Sequence, residues 1–231
     1  MIPKRFKAVI FDLDNTLLDF MKMKDAAVRA AVDAMLEAGL QEDKDLVVKA
    51  IWEIYNEKGY EFQEVFNDYL RQQLGAVDYK YLAAGIVAYR RAKEASLVLY
   101  PRVNRTLLTL AKRGFKLGVV SDAPSREAWM RLCYLNLHHM FDAVVTFDDT
   151  GRHKPAPEPF HKICNLLNIQ GHEALMVGDW PERDLKGARQ VGMTTAFARY
   201  GSHNSEGASQ ADYDLEDIYQ LIDIVEAHSK P

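Results

Sequence analysis

From Tyr100 onward, short runs of β-branched and aromatic residues alternate with longer stretches whose apolar residues recur every three or four positions. The first pattern is typical of buried strands, and the second is typical of amphipathic helices. A parallel pair of strands needs a long crossover connection, which is usually a helix, so strict alternation favours a parallel sheet. This part of the chain is therefore predicted to be a doubly wound, Rossmann-like α/β layer.

The alternation predicts a definite series of elements, preceded by one isolated strand, KAVIF, at residues 7–11. The series is helix 102–113, strand 115–120, helix 125–135, strand 143–147, helix 157–168, strand 173–178, helix 182–191 and strand 194–199. A polar loop, GSHNSEGASQA, then precedes a short strand near 212–215 and a closing helix over 216–227.

The stretch between the first strand and Tyr100 has a purely helical texture. Alanine and methionine residues recur at helical spacing over 21–38, and three more helices are predicted near 43–58, 60–74 and 78–95. We therefore expect a four-helix domain at residues 19–97, inserted into an α/β core made of 1–18 and 98–231. The insertion follows the carboxyl end of a strand, where open parallel sheets bind ligands, so we expect it to act as a lid.

The composition restricts the partners of the chain. Its 231 residues are 48% hydrophobic and 27% charged, and no apolar run approaches the roughly 20 residues that a membrane-spanning helix needs. The first apolar stretch is too short for a signal peptide, so we expect a cytoplasmic protein without a membrane partner. With a net charge of −4 and scattered basic residues, no nucleic-acid partner is expected. Cys133 and Cys164 are expected to be buried free thiols.

Polar side chains follow four of the predicted strands at the point where each strand ends. They are Asp12 and Asp14, Ser121 and Asp122, Asp148 and Asp149, and Asp179. Because the carboxyl ends of parallel strands share one edge of a sheet, these side chains are expected to share one rim. We expect Asp148 and Asp149 to lie in a loop outside the site.

The two acids of FDLDNTL must be held together by something. Asp12 and Asp14 point the same way in extended backbone, with Cα atoms about 6.6 Å apart, and carboxylates this close repel each other. A shared proton or a cation would relieve the repulsion, and Asp179 and Asp184 bring more negative charge to the rim. Mg²⁺ fits best, because it prefers carboxylate, water and phosphate oxygens.

A lysine and a hydroxyl complete the predicted site. Lys154, in HKPAPEP, and Ser121, in VVSDA, supply a positive charge and a hydrogen-bond donor beside the acids. A cation, an amine and a hydroxyl around one carboxylate can hold a phosphoryl group for transfer. In this interpretation Asp12 attacks phosphorus, while Asp14 protonates the leaving oxygen and later takes a proton from water.

In their order, the motifs FDLDNTL, VVSDA, KPAPEPF and VGDWPERD resemble those of the haloacid dehalogenase superfamily of phosphatases. The resemblance covers 7–18 and about 100–228, and it implies that the helical insertion is the small cap of that superfamily's first cap class. It implies Asp12 as nucleophile, Asp14 as acid/base, and Ser121 and Lys154 as phosphate ligands. It further implies that Asp179 and the Asp14 backbone carbonyl bind magnesium and that Asp184 supports the metal. Asp122 is counted with the substrate-binding residues, and HKPAPEPF also resembles the corresponding loop of phosphoglycolate phosphatases and the related pyrophosphatases.

The expected function is magnesium-dependent hydrolysis of a small phosphate monoester, with phosphoglycolate or a sugar phosphate as the leading kinds of substrate. A sugar phosphomutase is the main alternative, because it uses the same aspartates. A 2-haloacid dehalogenase would need neither a metal nor an acid for the leaving halide, so Asp14, Asp179 and Asp184 argue against it. Phosphonate cleavage would need a lysine that forms an imine, such as Lys22 or Lys24. A receiver-like module that holds phosphate without turnover is the alternative outside enzymes. The sequence leaves the oligomeric state and the roles of His153 and Trp180 open.

Overall fold

The computed structural model describes residues 6–203 and 210–228, and the chain forms two compact units. The first unit consists of Met1–Asp19 and Val98–Pro231, and the second consists of Phe20–Leu97. Residues 204–209 of the predicted polar loop lie outside the described part of the chain.

The first unit contains a six-stranded sheet in which all neighbouring strands are parallel. Its strands are β1 (Ala8–Phe11), β2 (Lys116–Val120), β3 (Ala143–Val145), β4 (Ala174–Gly178), β5 (Thr194–Ala198) and β6 (Tyr213–Leu215). The order across the sheet is β3-β2-β1-β4-β5-β6, which places β1 between β2 and β4. All four residues of β1 are fully buried, as expected for a central parallel strand covered on both faces. The predicted doubly wound α/β fold is confirmed.

Ten α-helices occur among the described residues. They are α1 (Phe20–Glu37), α2 (Lys44–Lys58), α3 (Val65–Leu74), α4 (Tyr79–Ser96), α5 (Val103–Lys112), α6 (Ser125–Tyr134), α7 (Phe147–Thr150), α8 (Pro157–Leu167), α9 (Lys186–Gln190) and α10 (Leu221–Ala227). The second unit contains α1 to α4, and the other six helices belong to the first unit.

The second unit has its own apolar core. The core gathers buried side chains from all four helices, including Val32 and Met35 of α1, Ile51 of α2, Tyr69 of α3 and Leu82 of α4. A Cβ atom on Gly85 would lie 2.2 Å from Met35 Cε, so the absence of a side chain there lets α1 and α4 pack closely. These helices are held by burial of one apolar face each, as their sequence period indicates.

The structure corrects the sequence prediction between β3 and α8. The strand predicted to reach residue 147 ends at Val145, because Thr146 begins the short helix α7 with a capping box. The Asp149 carboxylate accepts hydrogen bonds from the backbone N–H and the hydroxyl of Thr146. Asp148 and Asp149 therefore lie in a helix, and the expected loop was wrong.

Two further findings concern the cysteines and the membrane. Cys133 and Cys164 are both free, but only Cys164 is buried, so the expectation of two buried thiols was wrong for Cys133. Cys133 lies on the exposed side of α6, together with Trp129, Met130 and Tyr134. Within the described residues, no helix combines the length and apolar character needed to span a bilayer.

Candidate active site

The carboxyl end of the central strand places the first candidate residue. Asp12 follows β1 directly, and its backbone N–H donates to the carbonyl of Val177 in β4 at 2.9 Å. β1 is in register with both neighbours, since Phe11 lies opposite Val119 of β2 and Val177 of β4. The residues that follow these three strands, Asp12, Ser121 and Asp179, therefore emerge at one edge of the sheet.

Lys154 lies at the centre of this edge although it is far from Asp12 in sequence. Its amine donates a short hydrogen bond to Asp12 Oδ1 and contacts Asp184 Oδ1 at 2.6 Å. A third contact, at 3.1 Å to the carbonyl oxygen of Val120, fixes the amine beside the end of β2. Lys154 is only 4% exposed, so these oxygen atoms replace the water that a lysine normally binds.

Asp184 reaches the same edge through a tight turn. After β4 the chain forms one π-helical turn, Pro181–Leu185, in which the Trp180 N–H donates to Asp184 Oδ2 at 3.0 Å. A Cβ atom on Gly178 would lie 2.4 Å from Asp184 Cβ, so only glycine allows this close approach. The turn thus folds the Asp184 carboxylate back onto the end of the strand that leads to it.

Thr16, in the loop after β1, holds Asp179, and Tyr200, which follows β5, holds Thr16. The hydroxyl of Thr16, which is fully buried, donates to Asp179 Oδ1 at 3.3 Å. The hydroxyl of the half-buried Tyr200 donates to the backbone carbonyl of Thr16 at 2.8 Å. A Cβ atom on Gly201 would lie 1.6 Å from the Asn15 carbonyl oxygen, so the chain after β5 packs directly on this loop. Neither Thr16 nor Tyr200 was among the predicted site residues.

Three buried carboxylates meet at this edge. Asp12, Asp179 and Asp184 each offer an oxygen atom, and these atoms all lie within 4.8 Å of one another. Burial, together with the charges of Asp184 and Asp14, raises the pKa of Asp12 to about 8, against the opposing effect of Lys154. Burial and the charges of Asp12 and Asp184 also raise the pKa of Asp179 well above its ordinary value. The acids outnumber the one amine, so the group attracts further positive charge.

The chemistry of these ligands fits Mg²⁺. The cation prefers hard oxygen ligands and is commonly held by one or two protein carboxylates with water and phosphate oxygens. Asp12 and Asp179 supply such carboxylates in a buried place where their mutual repulsion has to be offset. Asp184 belongs to the same cluster, but it is also held by Lys154 and by the Trp180 N–H, which suits a supporting role.

The Asp14 side chain takes no part in the carboxylate cluster. Its Oδ2 atom accepts a hydrogen bond from Arg131 Nη1 of α6 at 2.9 Å, and Arg131 is only 1% exposed. The sequence prediction missed Arg131. One signal was present, because the buried residues Ala128 and Leu132 lie three positions before it and one after it, on the core-facing side of α6.

Ser121 and Asp122 follow β2 and have different partners. Ser121 is buried, and its Oγ accepts a hydrogen bond from the Ala123 N–H at 3.2 Å. Asp122 Oδ1 accepts from the Lys154 backbone N–H at 2.8 Å, and Oδ2 contacts Arg183 Nη1 at 3.4 Å. The structure therefore gives Asp122 a clear role in fixing the backbone that carries Lys154.

The two residues left open by the sequence lie at the edge of the same region. The exposed ring of His153 stacks on Phe147 with centroids 4.2 Å apart, and its Nδ1 lies 3.7 Å from Asp122 Oδ1. The half-buried ring of Trp180 packs under the Arg183 guanidinium, 4.0 Å from the ring centroid. Both side chains thus have packing partners within the first unit.

Comparison with known proteins supplies the family. A family model described as haloacid dehalogenase-like hydrolase matches residues 6–192. The chain belongs to the haloacid dehalogenase-like hydrolases. The predicted resemblance is confirmed, and so is the prediction of an enzyme of this family that hydrolyses phosphate monoesters.

Individual relatives within the haloacid dehalogenase-like hydrolases match along almost the whole chain. The glyceraldehyde 3-phosphate phosphatase of Pyrococcus furiosus is 34% identical over 228 residues, covering 96% of this chain and 94% of the relative. The phosphoglycolate phosphatase of Aquifex aeolicus is 30% identical and covers 96% of this chain and 98% of the relative. The crystal structure of a HAD phosphatase from Thermococcus onnurineus has a TM-score of 0.73 at 26% identity, covering 95% of this chain and 98% of that one.

Proposed function

We propose that this haloacid dehalogenase-like hydrolase is a Mg²⁺-dependent phosphatase that hydrolyses a small phosphate monoester through an aspartyl-phosphate on Asp12. The observation that carries the proposal is the contact of the Lys154 amine with both Asp12 and Asp184 inside a cluster of three buried carboxylates. Such an arrangement has little use in a structural role, because buried charges are costly unless a ligand or cation completes them.

The first half of the reaction transfers the phosphoryl group to the protein. An oxygen of Asp12 forms a bond to phosphorus while the bond from phosphorus to the leaving oxygen breaks, and Asp14 gives its proton to that oxygen. Lys154 and the Ser121 hydroxyl hold the phosphoryl oxygens and stabilise their negative charge. Mg²⁺, held by Asp12, Asp179 and the Asp14 backbone carbonyl with support from Asp184, would supply further charge neutralisation and alignment.

The second half restores Asp12. A water molecule attacks phosphorus, its proton passes to Asp14, and the bond between phosphorus and the Asp12 oxygen breaks to release inorganic phosphate. Asp14 thereby regains the proton that it gave away in the first half, so atoms and charges balance over the cycle. Asp122 contributes by holding the backbone of Lys154 in place.

The substrate we propose is a phosphorylated metabolite of two or three carbons. The support comes from relatives that match nearly end to end and are named glyceraldehyde 3-phosphate phosphatase and phosphoglycolate phosphatase. We also propose that the protein acts in the cytoplasm, where two unpaired cysteines such as Cys133 and Cys164 stay reduced.

A phosphate-release assay tests the proposal. We expect release from glyceraldehyde 3-phosphate or phosphoglycolate with Mg²⁺, none with EDTA, and a loss of at least about 10³-fold in Asp12→Asn. Asp223→Asn removes one exposed carboxylate from α10, away from the site, and is the matched control that should keep full activity. Activity that survives Asp12→Asn would rule out Asp12 as the nucleophile.

A further inference from the structure

The ion pair between Arg131 and Asp14 joins parts of the chain that are 117 positions apart. Asp14 lies in the loop after β1, and Arg131 lies in the last turn of α6. The Arg131 side chain is 2% exposed, whereas the Asp14 side chain is 23% exposed. The arginine is thus the buried partner, and the carboxyl is the one that solvent and substrate can reach.

A buried guanidinium needs a specific reason to be there. Removing arginine from water is expensive, and the other buried residues of α6 are Ala128, Leu132 and one acid, Glu127. A leucine or methionine would fill such a position at lower cost, so helix packing alone does not explain the residue. What the arginine adds is a rigid, permanently charged donor aimed at one oxygen of Asp14.

We propose that Arg131 is a positioning residue for proton transfer by Asp14, an inference that rests on the acid/base role proposed for Asp14. With Oδ2 held at 2.9 Å by a helix-borne donor, the Asp14 carboxyl cannot rotate freely about its side-chain bonds. Proton transfer requires the acid to lie within hydrogen-bond reach of the leaving oxygen. The contact with Arg131 therefore keeps the Asp14 carboxyl in the orientation that proton transfer needs.

Arg131 also balances the charge that Asp14 acquires when it gives up its proton. Asp12, Asp179 and Asp184 already outnumber Lys154, and Asp14 becomes a further negative charge beside the phosphoryl group once its proton has passed to the leaving oxygen. The guanidinium cancels that charge without occupying the place of the phosphoryl group, because it approaches Asp14 from α6. Positioning and charge balance therefore come from the same ion pair.

Leaving groups of different basicity separate this role from a merely structural one. An alkoxide must be protonated as it leaves, whereas p-nitrophenolate leaves readily without a proton. The value of kcat/KM reports the steps up to departure of the leaving group, and general acid catalysis contributes about 10²- to 10⁴-fold. Loss of acid function therefore lowers kcat/KM for glyceraldehyde 3-phosphate much more than for p-nitrophenyl phosphate.

The experiment measures both values of kcat/KM, with Mg²⁺, for the wild-type protein, Asp14→Asn, Arg131→Gln and Arg131→Lys. We expect Asp14→Asn to lower the alkyl-to-aryl ratio about 10²-fold or more, and Arg131→Gln to lower it about tenfold or more. Arg131→Lys keeps the charge and should recover part of the ratio. The control Arg126→Gln, which removes an exposed arginine of the same helix, should leave the ratio unchanged.

A double variant covers the case in which Arg131→Gln fails to fold. Asp14→Asn with Arg131→Met removes both charges of the pair, and its ratio should equal that of Asp14→Asn alone. Equal losses for both substrates in Arg131→Lys or Arg131→Gln, with a shifted ratio in Asp14→Asn, would overturn the inference. An unshifted ratio in Asp14→Asn would instead overturn the acid role on which the inference rests.

Discussion

Lys154 is held in its charged form by the acids around it. Burial acts to lower the pKa of its amine, but the charges of Asp12 and Asp184 outweigh burial and raise that pKa well above its ordinary value. The lysine therefore carries a full positive charge throughout the physiological range. Asp12 shows the opposite balance, because burial dominates and its pKa rises in spite of the same contact. A bound cation would restore the charged carboxylate that nucleophilic attack requires.

The stability of the metal-free protein should fall as the pH rises from 5 to 8. A carboxyl whose pKa is raised in the folded state, as in Asp12 from 3.8 to about 8, stabilises the fold while it is protonated and loses that contribution as pH rises through the folded pKa. The pKa of Asp179 is also raised, so its contribution to stability changes with pH in the same direction. One proton of difference corresponds to about 1.4 kcal/mol per pH unit. Thermal unfolding in EDTA at pH 5, 6, 7 and 8 measures the effect.

Two controls test whether this pH dependence of stability comes from the carboxylate cluster. Asp12→Asn cannot lose the proton in question, so its metal-free stability should depend less on pH than that of the wild type. Mg²⁺ should stabilise the wild type more at pH 8 than at pH 5, because it replaces the protons there. Acids with a lowered pKa, such as Asp68 and Glu173, contribute stability that is already complete above pH 5. A wild type equally stable at pH 5 and 8 without metal would contradict the prediction.

Some of the candidate site could be predicted residue by residue, and some could not. Asp12 and Asp179 were found because they follow strands, and a parallel sheet brings strand ends together whatever lies between them. Lys154 was found because its motif occurs in the right order. Arg131 lies within a helix, where one arginine among many looks like a solvated surface charge. Its partner could not be identified without the packing of α6 against the sheet.

At the scale of elements, hydrophobic period located every strand of the sheet, because a buried parallel strand is a short run of apolar residues. The prediction failed where local hydrogen bonds set the backbone. The capping box of Thr146 and Asp149 ended β3 early and began α7. The π-helical turn at Pro181–Leu185 replaced the first half of the helix predicted at 182–191, because the Trp180 N–H bonds to Asp184. Such backbone bonds leave only a weak trace in a hydrophobic pattern.

The packing of α1 depends on one buried lysine. Lys24 is 4% exposed, and its amine donates to the Tyr60 carbonyl at 2.6 Å and to the Tyr89 hydroxyl at 2.9 Å. The amine also lies 3.9 Å from the centre of the Tyr55 ring. The lysine thus joins α1 to α2, to α4 and to the segment before α3.

Replacement of this lysine by methionine should weaken the second unit. Lys24→Met keeps most of the apolar stem but loses charged hydrogen bonds, and we expect a destabilisation of about 1.5 to 3 kcal/mol. Lys22→Met, at an exposed position of the same helix, should change stability by less than about 0.5 kcal/mol. Urea unfolding followed by circular dichroism measures both values. Equal stability of the two variants would show that the buried amine contributes little.

At the scale of the whole molecule, residues 20–97 of the second unit interrupt the sequence of the first unit. The two residues of the first unit that flank this insertion, Asp19 and Val98, are nevertheless hydrogen-bonded neighbours. The backbone N–H of Asp19 donates to the carbonyl of Val98 at 3.2 Å, and Leu18 and Leu99 form an antiparallel bridge. The Tyr100 N–H donates to the Leu17 carbonyl at 3.0 Å. The two segments that flank the insertion, 17–19 and 98–100, therefore run antiparallel and side by side, as the two arms of a β-hairpin do.

This geometry predicts that the first unit folds without the second. Replacing residues 20–97 with an Asn-Gly turn would close the two arms as a hairpin with little strain, since such turns match the twist of antiparallel strands. Every residue of the carboxylate cluster, with Lys154, Thr16 and Arg131, belongs to the first unit. We expect the shortened chain to unfold cooperatively and to be stabilised by Mg²⁺ at pH 8, measured by calorimetry with and without EDTA. Asp12→Asn in the shortened chain is the control that should reduce the Mg²⁺ effect. A shortened chain without a cooperative transition would mean that the first unit cannot form its core unless the four-helix unit is present.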